Sequence, residues 1–179
     1  MTLYIALLRG INVSGQKMIR MVELKQMFEA MGFTQVQTYI QTGNIWFESG
    51  EEETRLRTQI QQEIETVYGF DVPVVIRTVQ ELEQVIVDCP FPANDLPEGE
   101  SVYVAHLQEA PTQMGIDRLL SYNNGIDELR IQGREVYILY RQSAGRSKLT
   151  NNLIEKKLGV IATTRNWNTV NKLVDMGKL

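Results

Sequence analysis

The feature that most constrains this chain is an order of periodic segments that occurs twice. Residues 3–8 are continuously apolar, as in a buried strand. Leu24, Met27, Phe28 and Met31 then fall at i, i+3, i+4 and i+7, which puts one apolar stripe on a helix that Gly32 ends. Residues 36–40 and 45–48 read as strands on either side of the turn Gln41-Thr42-Gly43-Asn44. Leu56, Ile60, Ile64, Val67 and Tyr68 stripe a longer helix stopped by Gly69, and residues 72–76 read as a fourth strand. The order β-α-β-β-α-β then returns. Residues 102–107 are a strand, and Pro111 opens a helix carrying Ile116, Leu119 and Leu120. Residues 129–131 and 136–140 flank the turn Gln132-Gly133-Arg134. Leu149, Leu153, Ile154 and Leu158 stripe a helix ended by Gly159, and residues 160–163 form a short last strand. The repeat is one of element order, since the two halves do not align by identity.

Between the halves, Thr78-Val79-Gln80-Glu81 matches a capping box and opens a connector helix with Leu82, Val85 and Ile86. Pro90, Pro92, Pro97 and Gly99 give residues 89–100 the chemistry of a linker. Trp167, Val170, Leu173 and Val174 stripe a tail helix. The expected fold is therefore α+β: two ferredoxin-like (β-α-β-β-α-β, alpha-beta plait) subdomains plus connector and C-terminal helices. Residues 1–78 form the first subdomain, 79–100 the connector and linker, and 101–179 the second subdomain with its tail helix. Both helices of a subdomain cover one sheet face. The other face, with Tyr4, Trp46, Tyr103 and Leu139 as candidates, is too apolar to stay open. The connector, the tail helix or the other subdomain is expected to cover it.

Composition narrows the function classes. Apolar residues make up 43 % of the chain and charged residues 22 %, ordinary for a globular protein with a core. Lys plus Arg number 18 against 22 Asp plus Glu, a net charge of −4, which argues against general nucleic-acid binding. The single cysteine, Cys89, forms no internal disulfide and suits a reducing compartment, so a cytoplasmic protein is expected. No stretch is long enough for a membrane span. One cysteine and one histidine, His106, cannot assemble a structural zinc site, so no metal is expected. No phosphate-binding loop or dinucleotide fingerprint occurs, and no cofactor follows from the sequence.

Several blocks resemble a known family. Arg9-Gly10-Ile11-Asn12-Val13 and Tyr39-Ile40-Gln41-Thr42-Gly43-Asn44 are similar to the N-terminal signature of the bacterial domain-of-unknown-function family 1697. Cys89-Pro90-Phe91, Gly145-Arg146-Ser147-Lys148-Leu149 and Thr164-Arg165-Asn166-Trp167-Asn168-Thr169 resemble its later blocks. Ser14 and Thr42 depart from the pattern where glycine and serine are common. The resemblance implies a bacterial protein of two ferredoxin-like subdomains and implies no activity.

Site candidates come from topology. In the first subdomain the loop 9–17 and the turn 41–44 lie at one sheet edge, so Arg9, Asn12, Lys17, Thr42 and Asn44 converge as one candidate ligand cluster. Local backbone bonding is the competing reading for Asn12 and Asn44. In the second subdomain the segments 141–148 and 163–166 share an edge where two helices begin. Arg146, Ser147, Lys148 and Arg165 there form the main anion-site candidate, with helix capping as the competing reading. The leading expectation is binding of a phosphate- or carboxylate-bearing small molecule, with no reaction assigned. The alternatives are single-stranded nucleic-acid binding on a sheet face through Tyr4 and Trp46, and self-association through an exposed strand edge. Cys89 and His106 are weaker candidates for reactivity. Oligomeric state stays open.

Overall fold

Side chains of the first strand alternate between two faces, and both faces are buried. The computed structural model describes residues 1–123 and 125–178. Its first six elements are β1 (Thr2–Leu8), α1 (Met21–Ala30), β2 (Thr34–Tyr39), β3 (Asn44–Ser49), α2 (Glu53–Tyr68) and β4 (Val74–Thr78). After α3 (Val79–Val87) come β5 (Ser101–Leu107), α4 (Gln113–Leu120), β6 (Glu128–Gln132) and β7 (Glu135–Tyr140). A single 3-10 turn (Ala144–Arg146), α5 (Asn151–Leu158), β8 (Ala162–Asn166) and α6 (Trp167–Gly177) complete the chain. The fold is mixed α+β, with two four-stranded antiparallel sheets ordered β2-β3-β1-β4 and β6-β7-β5-β8.

Contacts divide the chain into two units, Met1–Glu83 with Leu173–Leu179, and Gln84–Lys172. In the first unit, Tyr4, Ala6 and Leu8 join Ile45, Phe47, Val74 and Ile76 on one sheet face. Leu24, Met27 and Phe28 of α1 and Leu56, Ile60 and Ile64 of α2 pack on that face, as the apolar stripes require. Ile5, Leu7, Trp46 and Val75 lie on the opposite face and are also buried. The tail of α6 covers part of it: the Trp46 indole N–H donates to the Leu173 carbonyl at 3.1 Å.

The second unit repeats the pattern. Ala105, Leu107, Val136, Ile138 and Ala162 meet Leu119 of α4 and Ile154 and Leu158 of α5. On the other face Tyr137 donates its hydroxyl to the Val85 carbonyl near the end of α3, at 2.6 Å. Two of the expected second-face residues are elsewhere. Tyr4 sits in the helix-side core, stacked on Phe47, and Tyr103 packs against Tyr140 on the helix side of its sheet.

Two boundaries differ from expectation for one reason. β4 and β8 each end in polar residues, Arg77-Thr78 and Arg165-Asn166, so a reading based on apolarity places both strands too early. Each strand runs straight into a helix whose cap is its own last residue. Thr78 Oγ1 accepts from the Glu81 N–H and Glu81 Oε1 from the Thr78 N–H, while Asn166 Oδ1 accepts from the Thr169 N–H. The contact division between units falls inside α3 and inside α6. The tail joins the first unit because Leu173 bonds Trp46 and Gly177 packs on Val79 and Trp46.

The exposed edge strand β2 carries a bulge between Thr34 and Gln37, with Gln35 at φ 55°. Such a bulge twists an edge away from pairing with another chain, which counts against self-association there.

One glycine is fixed by space as well as by angle. Gly43 has φ +88°, its carbonyl accepts from the Leu8 N–H at 2.9 Å, and a Cβ there would lie 2.7 Å from Ile11 Cδ1 and 2.9 Å from Leu8 Cβ. Gly43→Ala is expected to destabilise the protein by about 2 kcal/mol or more, through backbone strain and overpacking together. Urea unfolding checks this, and an unchanged midpoint refutes it.

Candidate functional site

The first candidate cluster is assembled as topology requires, and its amides are spent on the backbone. Asn12, at φ 55°, donates to the carbonyls of Gln41 at 2.7 Å and Ile19 at 3.0 Å, and its Oδ1 accepts from the Ile19 N–H at 2.8 Å. Asn44 is buried and donates to the Tyr39 carbonyl and to Thr42 Oγ1. The Lys17 ammonium donates to the Asp71 carbonyl, and the Arg9 N–H donates to Pro73. The loop 9–20 and the turn at 40–43 are thus neighbours, stitched together by Asn12. Asn12 and Asn44 serve the local backbone, the competing reading, and are not free to orient a ligand.

The residues of the second cluster differ in burial and in the element that carries them. Arg165 is 6 % exposed and points to the face opposite α5, donating to Thr163 Oγ1 at 2.8 Å and to the Thr164 carbonyl at 3.1 Å. Burial pushes its pKa down to about 10, so it is charged at neutral pH. Ser147 is buried and accepts from the Leu149 N–H, while Arg146 and Lys148 are exposed on the loop. Of the four, Arg165 and Ser147 are buried, the former on β8, and Arg146 and Lys148 are exposed on the loop. The same buried face holds His106, whose Nδ1 lies 2.5 Å from Glu135 Oε2. His106 is fully buried, which removes it from contact with a substrate.

What organises the loop after β7 is a carboxylate that the sequence reading missed. Asp127 is buried and accepts from the Arg141 N–H and from Gln142 Nε2, at 2.8 and 2.9 Å. Arg141 itself pairs with Glu128 at 2.7 Å and lies 3.9 Å from Glu100. These partners are outside the loop, so Arg141 is paired by carboxylates distant in sequence.

A cleft of about 400 Å³ lies in the second unit, where the linker, the start of β5 and the first turn of α6 meet. Asn94, Glu100, Ser101, Tyr103, Asn166 and Asn168 supply its polar lining, beside Trp167. The Trp167 indole N–H donates to Asn94 Oδ1 at 3.1 Å, which ties the linker to α6. A second hollow of about 220 Å³ lies beside Asn94 and Trp167 and includes Cys89 in its wall. Burial pushes the Cys89 thiol up, only partly offset by a hydrogen bond from the Phe91 backbone, so the thiol is protonated at neutral pH and donates to the Phe91 carbonyl. Among the described residues no group of three or more His, Cys, Asp or Glu could hold a metal ion. Likewise no described helix is long and apolar enough to cross a membrane.

The sequence reading did not identify this cleft; it noted the block around Trp167 only as a family resemblance and a helix stripe. Asn94 and Ser101 sit in or beside a stretch whose prolines announce only a linker.

Asp127 makes a pH prediction. Burial raises its pKa, but the bonds from Gln142, the Arg141 N–H and Ser147 outweigh burial and leave it below the ordinary carboxylate value. A depressed pKa contributes stability above the unfolded value of about 4, lost as pH falls through the lower folded value. Asp127→Asn is expected to cost about 2 kcal/mol at pH 7, with the difference from the parent protein shrinking below about pH 4. Chemical unfolding at both pH values checks this, and a pH-independent difference refutes it.

Comparison with known proteins adds kinship without chemistry. Along its entire length the chain is similar to a solved structure, that of the conserved bacterial protein SP0830 from Streptococcus pneumoniae. The two share 21 % identity and a TM-score of 0.79, over 100 % of this chain and 99 % of that one, a likeness of fold. No curated protein matches. Residues 1–137 match the family described as a protein of unknown function (DUF1697), and the chain belongs to that family.

Proposed function

We propose that this protein binds a carboxylate- or phosphate-bearing small molecule in the cleft at the start of α6. The observation that carries the reading is the cleft itself. Its volume of about 400 Å³ falls in the range of small-molecule sites, and its lining mixes two aromatic residues with amide- and hydroxyl-bearing ones. The first turn of α6 offers partial positive charge to an anionic group, worth about 0.3–1 kcal/mol at an exposed helix start. Glu100 on another wall favours a ligand that also carries a hydroxyl or amine donor. The exposed Arg146 and Lys148, on the loop that Arg141 begins beside Glu100, add a salt-screened attraction for anions.

In this reading the two halves are ferredoxin-like subdomains, the first structural and the second carrying the site. The element order and the strand order of each sheet support that description. A protein with one thiol, protonated and unpaired with any other cysteine, fits the cytoplasm. Nucleic-acid binding is the weaker reading, because Tyr4 and Trp46 lie on opposite faces of their sheet and both are buried, so they form no stacking platform.

A thermal-shift screen of small carboxylates and phosphates tests the proposal. A compound at a hundredfold excess over its Kd is expected to add about 2.7 kcal/mol of stability. Its amide chemical-shift changes should centre on Ser101, Tyr103 and Asn166 to Thr169. Asn168→Ala should weaken binding severalfold without lowering the Tm of the free protein. Stabilising compounds that leave those amides unmoved would overturn the assignment.

A further inference from the structure

The cleft has a neighbour of different character. The hollow of about 220 Å³ is lined by Ile86, Cys89, Phe91 and Pro92, and it shares Ala93, Asn94 and Trp167 with the larger cleft. The shared residues line both hollows, and among them the Trp167 indole N–H donates to Asn94. One side presents amides, hydroxyls and the first turn of a helix, with the Glu100 carboxylate, Leu96 and Val102 also in its wall. The other presents an isoleucine, a phenylalanine, a proline and a protonated thiol, and its acidic residue, Asp95, is an exposed part of the linker.

From this juxtaposition we infer that the two hollows are one site of two chambers, whose ligand is amphipathic: an acidic head with a short alkyl or aryl tail. The inference rests on the binding reading above and specifies its ligand class. Size fits the tail, since an apolar cavity of about 150 Å³ takes a benzene molecule. Chemistry fits it too, because Cys and Met sulfur and aromatic edges are soft, apolar surfaces. A wholly polar ligand would leave Ile86 and Phe91 without a role in the site. A wholly apolar one would desolvate Asn168 and Ser101 for no return.

Straight-chain carboxylates from acetate to octanoate test this, with the uncharged alkanols of matching length as controls. Trp46→Phe leaves Trp167 as the one tryptophan, so its fluorescence reports occupancy. Cys89 is the one cysteine, and its rate of reaction with a thiol reagent reports the small chamber independently. Affinity is expected to rise about fourfold per methylene until the chamber is full. Hexanoate at saturation should slow Cys89 modification at least fivefold, while acetate at saturation leaves it unchanged. Cys89→Leu, which occupies part of the chamber, should flatten the chain-length dependence and spare acetate binding. A Kd independent of chain length, with Cys89 unprotected and the Asn168 amide still shifting, would overturn the two-chamber inference and leave the binding reading intact. Alkanols that bind as tightly as the acids would overturn the inference by removing the head group. No response at Trp167 or Asn168 to any acid would overturn both readings.

Discussion

A sheet with two helices on one side still has a whole face to remove from water, and the rest of this structure depends on how that is done. In each half an aromatic side chain on the inner hairpin strand hydrogen-bonds the carbonyl of a helix from outside the β-α-β-β-α-β order. Trp46 does so to Leu173 and Tyr137 to Val85. Large rings with one polar atom suit this task, because they bury much apolar area and still fix a direction. Tyr137 is held neutral for it: burial, and then Glu135, raise its pKa well above the ordinary phenol value. It therefore donates throughout the physiological range.

The two closures occupy matching places. Trp46 is the third residue of β3 and Tyr137 the third of β7. Asn44 and Glu135 open the same strands, both buried, and Arg77 and Arg165 are the buried fourth residues of β4 and β8. The repeat is thus one of position and role: a ring with a donor, a polar strand start, and an arginine just before a helix cap. No identity search finds it, because Trp pairs with Tyr and Asn with Glu. The order of elements was legible because period 2 and period 3.6 survive such replacements. The ends of β4 and β8 were not, because a buried arginine looks like a surface residue to any reading based on apolarity.

Legibility of the site divides along similar lines. Contacts that follow from topology were visible, such as the approach of Asn12 to the turn at Gln41. Contacts that depend on which face a strand residue takes were not: Arg165 sits beside Thr163 on the buried face rather than with Arg146 at the loop. The cleft was obscured by its own chemistry. Proline and glycine between residues 89 and 100 mark a chain that makes no regular structure, and they do not say whether it forms a wall. Here Asn94 and Phe91 hold it against Trp167 and Arg130, the latter with its guanidinium 5.8 Å from the Phe91 ring.

The two halves also differ in how much chain they spend between first strand and first helix. Residues 108–112 suffice in the second half, and the first uses residues 9–20, with Asn12, Ser14 and Lys17 all at positive φ. The assignment of Leu173–Leu179 to the first unit has a consequence for synthesis. A ribosome adds roughly 5–20 residues per second. The first sheet is therefore complete, strand for strand, seconds before the helix turn that shields Trp46 leaves the exit tunnel. During that interval the Trp46 indole lacks the Leu173 carbonyl that accepts its N–H. The first half is thus a discontinuous unit: its sheet comes early in translation, and the carbonyl that satisfies Trp46 comes about a hundred residues later.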